Sequence, residues 1–125
     1  NYNERDVAKE TRAITGGRGA DVVIEHVGAT TWDGSLKALA WHGRLVTCGS
    51  TAGPTVTINL MQLFQQQYKI LASFGCNMRN IRDCLAKMES GIAPIIDSEF
   101  ALDDFERGLD RLEGRQVFGK VIVNF

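Results

Sequence analysis

Three places along the chain join an apolar run to a glycine: Val27-Gly28, Cys48-Gly49 and Phe74-Gly75. If each ends a strand of one parallel sheet, the three tips line the crevice in which open α/β sheets hold ligands. Glycine at such a tip lets a ligand approach the backbone without meeting a Cβ. Three in succession fit a flat, elongated ligand, although any one of them reads equally as a glycine that simply turns the chain. His26, beside Glu25, stands just before the first tip, where a general base would sit. No nucleophile accompanies it, and His26 reads as a groove-lining polar residue. Gly49-Ser50-Thr51-Ala52-Gly53 is rich in glycine and hydroxyls, but its central threonine rules out the GxSxG nucleophile elbow. Backbone contacts to a phosphate or amide stay open there beside an ordinary loop. Gly16-Gly17-Arg18-Gly19 precedes a strand, so it does not cradle a pyrophosphate in the usual way. There is no GxxxxGK[ST], CxxC or HExxH, and His26 and His42 fall on separate elements. Neither a P-loop nor a metal site is expected, and no residue is assigned to catalysis.

These tips need elements to carry them. Val22-Val23-Ile24 is apolar on consecutive residues, which predicts a strand over 21–27 covered on both faces, as in a parallel sheet. Trp32, Leu36, Leu39 and Ala40 recur at helical spacing, with Gly43 as the left-handed stop, and Leu45 to Gly49 makes the next strand. Together they form a right-handed βαβ unit. Before it, Asn3 is expected to cap a helix stapled by Tyr2 on Val7, with Val7, Thr11 and Ile14 on one face. After it, Asn59 caps a helix bearing Leu60, Leu63 and Phe64, and a third strand runs from Lys69 to Phe74. Ile81, Cys84, Leu85 and Met88 mark a further helix stopped by Gly91. An extended piece over 95–100 follows, then a helix opened by a capping box of Asp103 and Glu106, then a last strand over 119–125. Trp32 and Trp41 read as packing residues. The fold class is α/β: the carboxyl-terminal half of a Rossmann-type parallel sheet with flanking helices, plus a terminal helix–strand segment.

Composition excludes several classes. In 125 residues, 44% are hydrophobic, which supplies a core and argues against disorder. Lys plus Arg number 14 against 15 Asp plus Glu, a net charge of -1, so no basic footprint for nucleic acid or anionic membrane is present. No apolar run approaches the ~18 residues of a membrane span. Cys48, Cys76 and Cys84 are odd in number and lie within apolar patterns, so they read as reduced, buried thiols of a cytoplasmic chain.

The segments Ala20-Asp21-Val22-Val23-Ile24-Glu25-His26-Val27-Gly28, Leu36-Lys37-Ala38-Leu39-Ala40 and Gly43-Arg44-Leu45-Val46-Thr47-Cys48-Gly49 resemble the medium-chain dehydrogenase/reductase superfamily. The likeness is to its zinc-type alcohol dehydrogenase and quinone oxidoreductase branches. It continues through Ile58-Asn59-Leu60, Leu112-Glu113-Gly114 and Phe118-Gly119-Lys120-Val121-Ile122-Val123, and so spans nearly the whole chain. The resemblance implies a dinucleotide-binding Rossmann domain beside a catalytic domain. It further implies hydride transfer between NAD or NADP and an alcohol, carbonyl, quinone or enone. Residue by residue, Val27 and Gly28 fall on the ribose and adenine side of the cofactor. Cys48, Gly49 and the adjoining Ser50 fall near the nicotinamide half, and Ala72 and Phe74 on the carboxamide. Residues 1–75 then correspond to the second half of the dinucleotide domain. Residues 76–125 correspond to helices and a strand returning toward the catalytic domain.

The same likeness places the glycine-rich turn and the ligands of a catalytic zinc upstream of Asn1, so any zinc would belong to a longer protein, where its presence is left open, and not to this chain. The chain is thus expected to be an inactive piece, ordered by pairing with a second copy through the Lys69–Phe74 edge strand or with the missing segment. Its small-molecule substrate is not readable from these residues. Two other readings stand beside this one: a non-catalytic assembly or binding half-domain, and half of another doubly wound fold, such as a methyltransferase, whose sheet would carry an antiparallel strand.

Overall fold

A computed structural model describes residues 1–125. The chain divides into two compact units, Asn1–Gly75 and Cys76–Phe125.

The first unit begins with α1 (Val7–Ile14), capped by Asp6, whose carboxylate accepts from the Lys9 N–H at 2.9 Å. Asn3 was the expected cap. The Glu4 and Arg5 amides instead close a turn on the Asn1 carbonyl, which delays the helix start by three residues. Three glycine-rich positions then lead into β1 (Ala20–Glu25), followed by α2 (Trp32–Ala38), β2 (Leu39–Thr47), α3 (Leu60–Gln65) and β3 (Lys69–Ala72). The expected stop at Gly43 is not where the chain turns: Gly43 lies within β2, and the left-handed residue is His42 (φ 61°). The His42 amide donates to the Gln66 carbonyl, which holds it there. Asn59 caps α3 as its position predicts, accepting from the Gln62 amide.

The strands form one sheet in the order β1-β2-β3, parallel throughout. Glu25, Thr47 and Ala72 sit abreast at its carboxyl edge. An antiparallel strand, as the methyltransferase alternative requires, is absent from this sheet. On one face Val23, Leu45 and Ile70 pack with Trp32, Leu36 and Leu39 to make the core. The alternate residues Val22, Ile24 and Leu71 stay 49%, 70% and 46% exposed. Coverage of both faces, expected from the consecutive apolar run, is therefore not found: α2 covers one face, and nothing in this unit covers the other. Trp41 is exposed against its expected packing role, its ring meeting the His42 ring edge-on.

In the second unit Asn77 and Asn80 exchange side-chain and backbone hydrogen bonds to cap α4 (Met78–Glu89). Its apolar stripe of Met78, Ile81, Leu85 and Met88 has the predicted spacing but lies exposed. β4 (Ile96–Ala101) and β5 (Lys120–Asn124) pair in parallel, with α5 (Phe105–Glu113) packed on both. The expected Asp103–Glu106 box is not made. A 3-10 turn over Leu102–Asp104 shifts the helix start, and Asp104 binds Arg107 instead. Asp97 ties this unit together, accepting from Arg111 Nε at 2.7 Å and from the Phe118 amide at 3.0 Å. The Arg111 guanidinium holds the Asp97 carboxyl well below its usual range, at about 2.

All three cysteines are free, but they are exposed rather than buried. Cys48 lies past the end of β2, and Cys84 rides on the uncovered face of α4.

Candidate functional site

The parallel register sets the ends of β1, β2 and β3 side by side, so Val27-Gly28, Cys48-Gly49-Ser50 and Ala72-Ser73-Phe74 follow one another along a single edge. Every residue expected to line a ligand groove is on this rim, within the first unit. His26 is exposed just beyond β1, without a hydrogen-bonded partner for proton transfer.

Two of the three tip glycines owe their identity to the chain itself. A Cβ on Gly28, at φ 99°, would stand 2.5 Å from the Gly53 carbonyl oxygen and 3.1 Å from Ser50 Cα. A Cβ on Gly49 would stand 2.6 Å from the His26 carbonyl oxygen. These glycines let the Ser50–Gly53 loop and the β1–α2 turn lie against each other. Around Gly75 nothing approaches within 4 Å. The open-approach reading of the glycines therefore fits Gly75, whereas Gly28 and Gly49 serve packing.

The rim is locked by backbone bonds. The Cys48 amide donates to the Glu25 carbonyl, Ala52 to Val27 at 2.7 Å, Ala29 to Gly53 at 3.2 Å and Ser73 to Thr47 at 2.9 Å. The amides of Ser50 and Phe74 make no such bond, so both remain free to donate to a ligand.

Glu25 is the residue that sequence reasoning passed over. Only 3% exposed, its carboxylate accepts from four groups. Oε1 takes the Val27 and Gly28 amides at 2.8 and 3.0 Å and the Thr31 hydroxyl at 2.8 Å, while Oε2 takes the Ser35 hydroxyl at 2.5 Å. Burial pushes its carboxyl up, but the donors Ser35, Gly28, Val27 and Thr31 outweigh it and hold the group below its ordinary value. The available signal was a charged residue ending an apolar strand with hydroxyls six and ten positions later.

A cavity of about 450 Å³ lies between α2 and the 55–62 segment, bordered by Ala29, Trp32, Leu36, Val56, Asn59 and Gln62. It includes none of the rim residues. No three His, Cys, Asp or Glu side chains gather in this structure.

Comparison with known proteins fits this geometry. The zinc-binding dehydrogenase family profile matches residues 1–90. The quinone oxidoreductase of Salmonella typhimurium is 38% identical over 66 residues, covering 53% of this chain and 20% of that protein. The quinone oxidoreductase of Pseudomonas aeruginosa is 28% identical over 132 residues, covering 98% of this chain and 41% of its own length. A crystal structure of an NAD-dependent alcohol dehydrogenase superposes with a TM-score of 0.86 at 35% identity, covering 100% of this chain and 37% of that one. The chain thus spans a fifth to two fifths of the length of these relatives. With a family profile on most of its residues and the parallel rim in place, the chain belongs to the zinc-binding dehydrogenase family and corresponds to the carboxyl-terminal portion of such enzymes.

Proposed function

We propose that this chain is the cofactor-binding part of an NAD- or NADP-dependent oxidoreductase that moves hydride between nicotinamide and an alcohol, carbonyl, quinone or enone. The observation that carries the reading is the row of three parallel strand ends, Val27-Gly28, Cys48-Gly49-Ser50 and Ala72–Phe74, on one sheet edge. That row has the shape a long, flat dinucleotide requires at the carboxyl ends of a doubly wound sheet. The free Ser50 and Phe74 amides supply donors for its polar groups, and the open space at Gly75 admits it. The bound dinucleotide supplies or accepts the hydride; the residues of this chain bind and orient it.

In this reading Asn1–Gly75 is the second half of the dinucleotide domain, and Cys76–Phe125 leads back to a catalytic domain that a longer protein contributes, with any zinc. The isolated chain is inactive, because no catalytic group lies on the rim. A second copy pairs along the β3 edge, a strand whose outer side is unpaired in the sheet. Three free cysteines support a reducing compartment such as the cytoplasm.

Adding millimolar NADH to the isotopically labelled chain tests the reading. Amide resonances of Val27, Gly28, Cys48, Gly49, Ser50, Ala72 and Phe74 are expected to shift together. Shifts confined to other residues, or none at saturating NADH and NADPH, would overturn it and leave assembly as the better account.

A further inference from the structure

Glu25 places a buried carboxylate directly behind the rim, and its bonds divide in an informative way. Oε1 holds the Val27 and Gly28 amides, which belong to the first tip. Both oxygens engage Thr31, and Oε2 engages Ser35, which belong to α2 and its cap. The turn so held then receives the next loop: the Val27 carbonyl accepts the Ala52 amide, the Ala29 amide donates to Gly53, and Gly28 lies against Ser50. One side chain thereby links β1, α2 and the loop that follows β2. The exposed side chain of its neighbour His26 makes none of these bonds.

We infer that Glu25 is the positioning residue of the rim: it sets the Val27–Gly28 turn against α2 and, through that turn, the Ser50–Gly53 loop, at the geometry the dinucleotide meets. This rests on the cofactor-binding reading above. The physical reason is that a buried acceptor facing four donors has no cheap substitute, since its loss leaves the buried Gly28 amide and three half-buried donors without their partner. The turn would recover by moving its amides toward solvent, which swings Gly28 away from Ser50. Glutamine keeps one acceptor oxygen for the two amides and offers an NH2 to the two hydroxyls, so it preserves most of the linkage.

The test compares Glu25→Met, Glu25→Gln and, as a control remote from the rim, Arg12→Met. NADH affinity and hydrogen exchange of the Gly28 and Ala52 amides are measured in the full chain, at a temperature where each variant is folded. Glu25→Met is expected to weaken NADH about tenfold or more, equivalent to about 1.4 kcal/mol per decade, and to speed exchange at both amides. Glu25→Gln is expected to return both readouts to within about threefold of the parent. Arg12→Met, which lowers stability by loosening the far end of α2, should leave NADH affinity unchanged. Should Glu25→Met fail to fold, Thr31→Val combined with Ser35→Ala removes the α2 side of the linkage and is expected to act in the same direction. Parent-like affinity and parent-like exchange in either variant would overturn the inference. If the parent itself binds no NADH, the cofactor reading falls, and the exchange rates at Gly28 and Ala52 alone decide whether Glu25 sets the rim.

Discussion

A methyl group at Gly28 has nowhere to go: it would meet the Gly53 carbonyl oxygen at 2.5 Å while holding a left-handed φ of 99°. Gly28→Ala is therefore expected to cost about 2–4 kcal/mol, from backbone strain and a forced loop shift together. Gly75 is left-handed too, but its surroundings are open. With φ at 59° and no atom within 4 Å, Gly75→Ala should cost about 1 kcal/mol, the backbone share alone. Urea midpoints of the two variants check this, and equal losses would mean that the Gly28 contact is not what selects glycine. Glu25 makes a related point. Its burial and four donors make it the organising polar group of the rim, while the exposed side chain of His26 makes none of these bonds.

Among the elements, α2 depends on a neighbour for its end. Arg12 from α1 donates to the Lys37 and Leu39 carbonyls at 3.0 and 3.1 Å, groups a helix terminus leaves without partners. Arg12→Ala should cost about 1–2 kcal/mol, read from thermal or urea unfolding of the first unit. The second unit has an acid-sensitive brace in Asp97. Because its folded carboxyl is depressed to about 2 from 3.8, its contribution is complete above pH 4 and is lost as pH falls toward 2. Unfolding followed from pH 5 to 2 should show stability dropping across that window, and Asp97→Asn should flatten the drop. An unchanged acid slope in Asp97→Asn would remove the brace from the account. Glu25, depressed in the same direction, adds acid sensitivity of the same sign in the first unit.

For the whole molecule the decisive feature is unspent apolar surface. Val22, Ile24 and Leu71 on the open sheet face, and the Met78–Met88 stripe of α4, remain largely exposed. Each such side chain gains roughly 1.5–3 kcal/mol when buried, against a typical net stability of about 5–15 kcal/mol for a domain. The chain is therefore expected to associate at micromolar concentration, with a melting temperature that rises with concentration. Leu71→Lys, which sets a charge on the unpaired edge strand, should shift it toward monomer. Sedimentation showing a folded monomer whose melting temperature ignores dilution would sink this expectation.

Local pattern alone determined the order of helices and strands, the Asn59 cap, the spacing of the α4 stripe and the three tips that a parallel sheet aligns. These follow from side-chain period and turn chemistry, which are properties of neighbouring residues. The family likeness in the same strands added the cofactor expected at those tips. Only the tertiary structure decided that one sheet face is bare, that Cys48, Cys76, Cys84 and Trp41 are exposed, and that His42 rather than Gly43 takes the left-handed turn. Burial depends on what packs against a surface, and an apolar run states a preference for cover without supplying it. Gly28, Gly49 and Glu25 belong to the same class: their roles come from the Ser50–Gly53 loop, the His26 carbonyl and the hydroxyls of Thr31 and Ser35, contacts that exist only once the chain has folded.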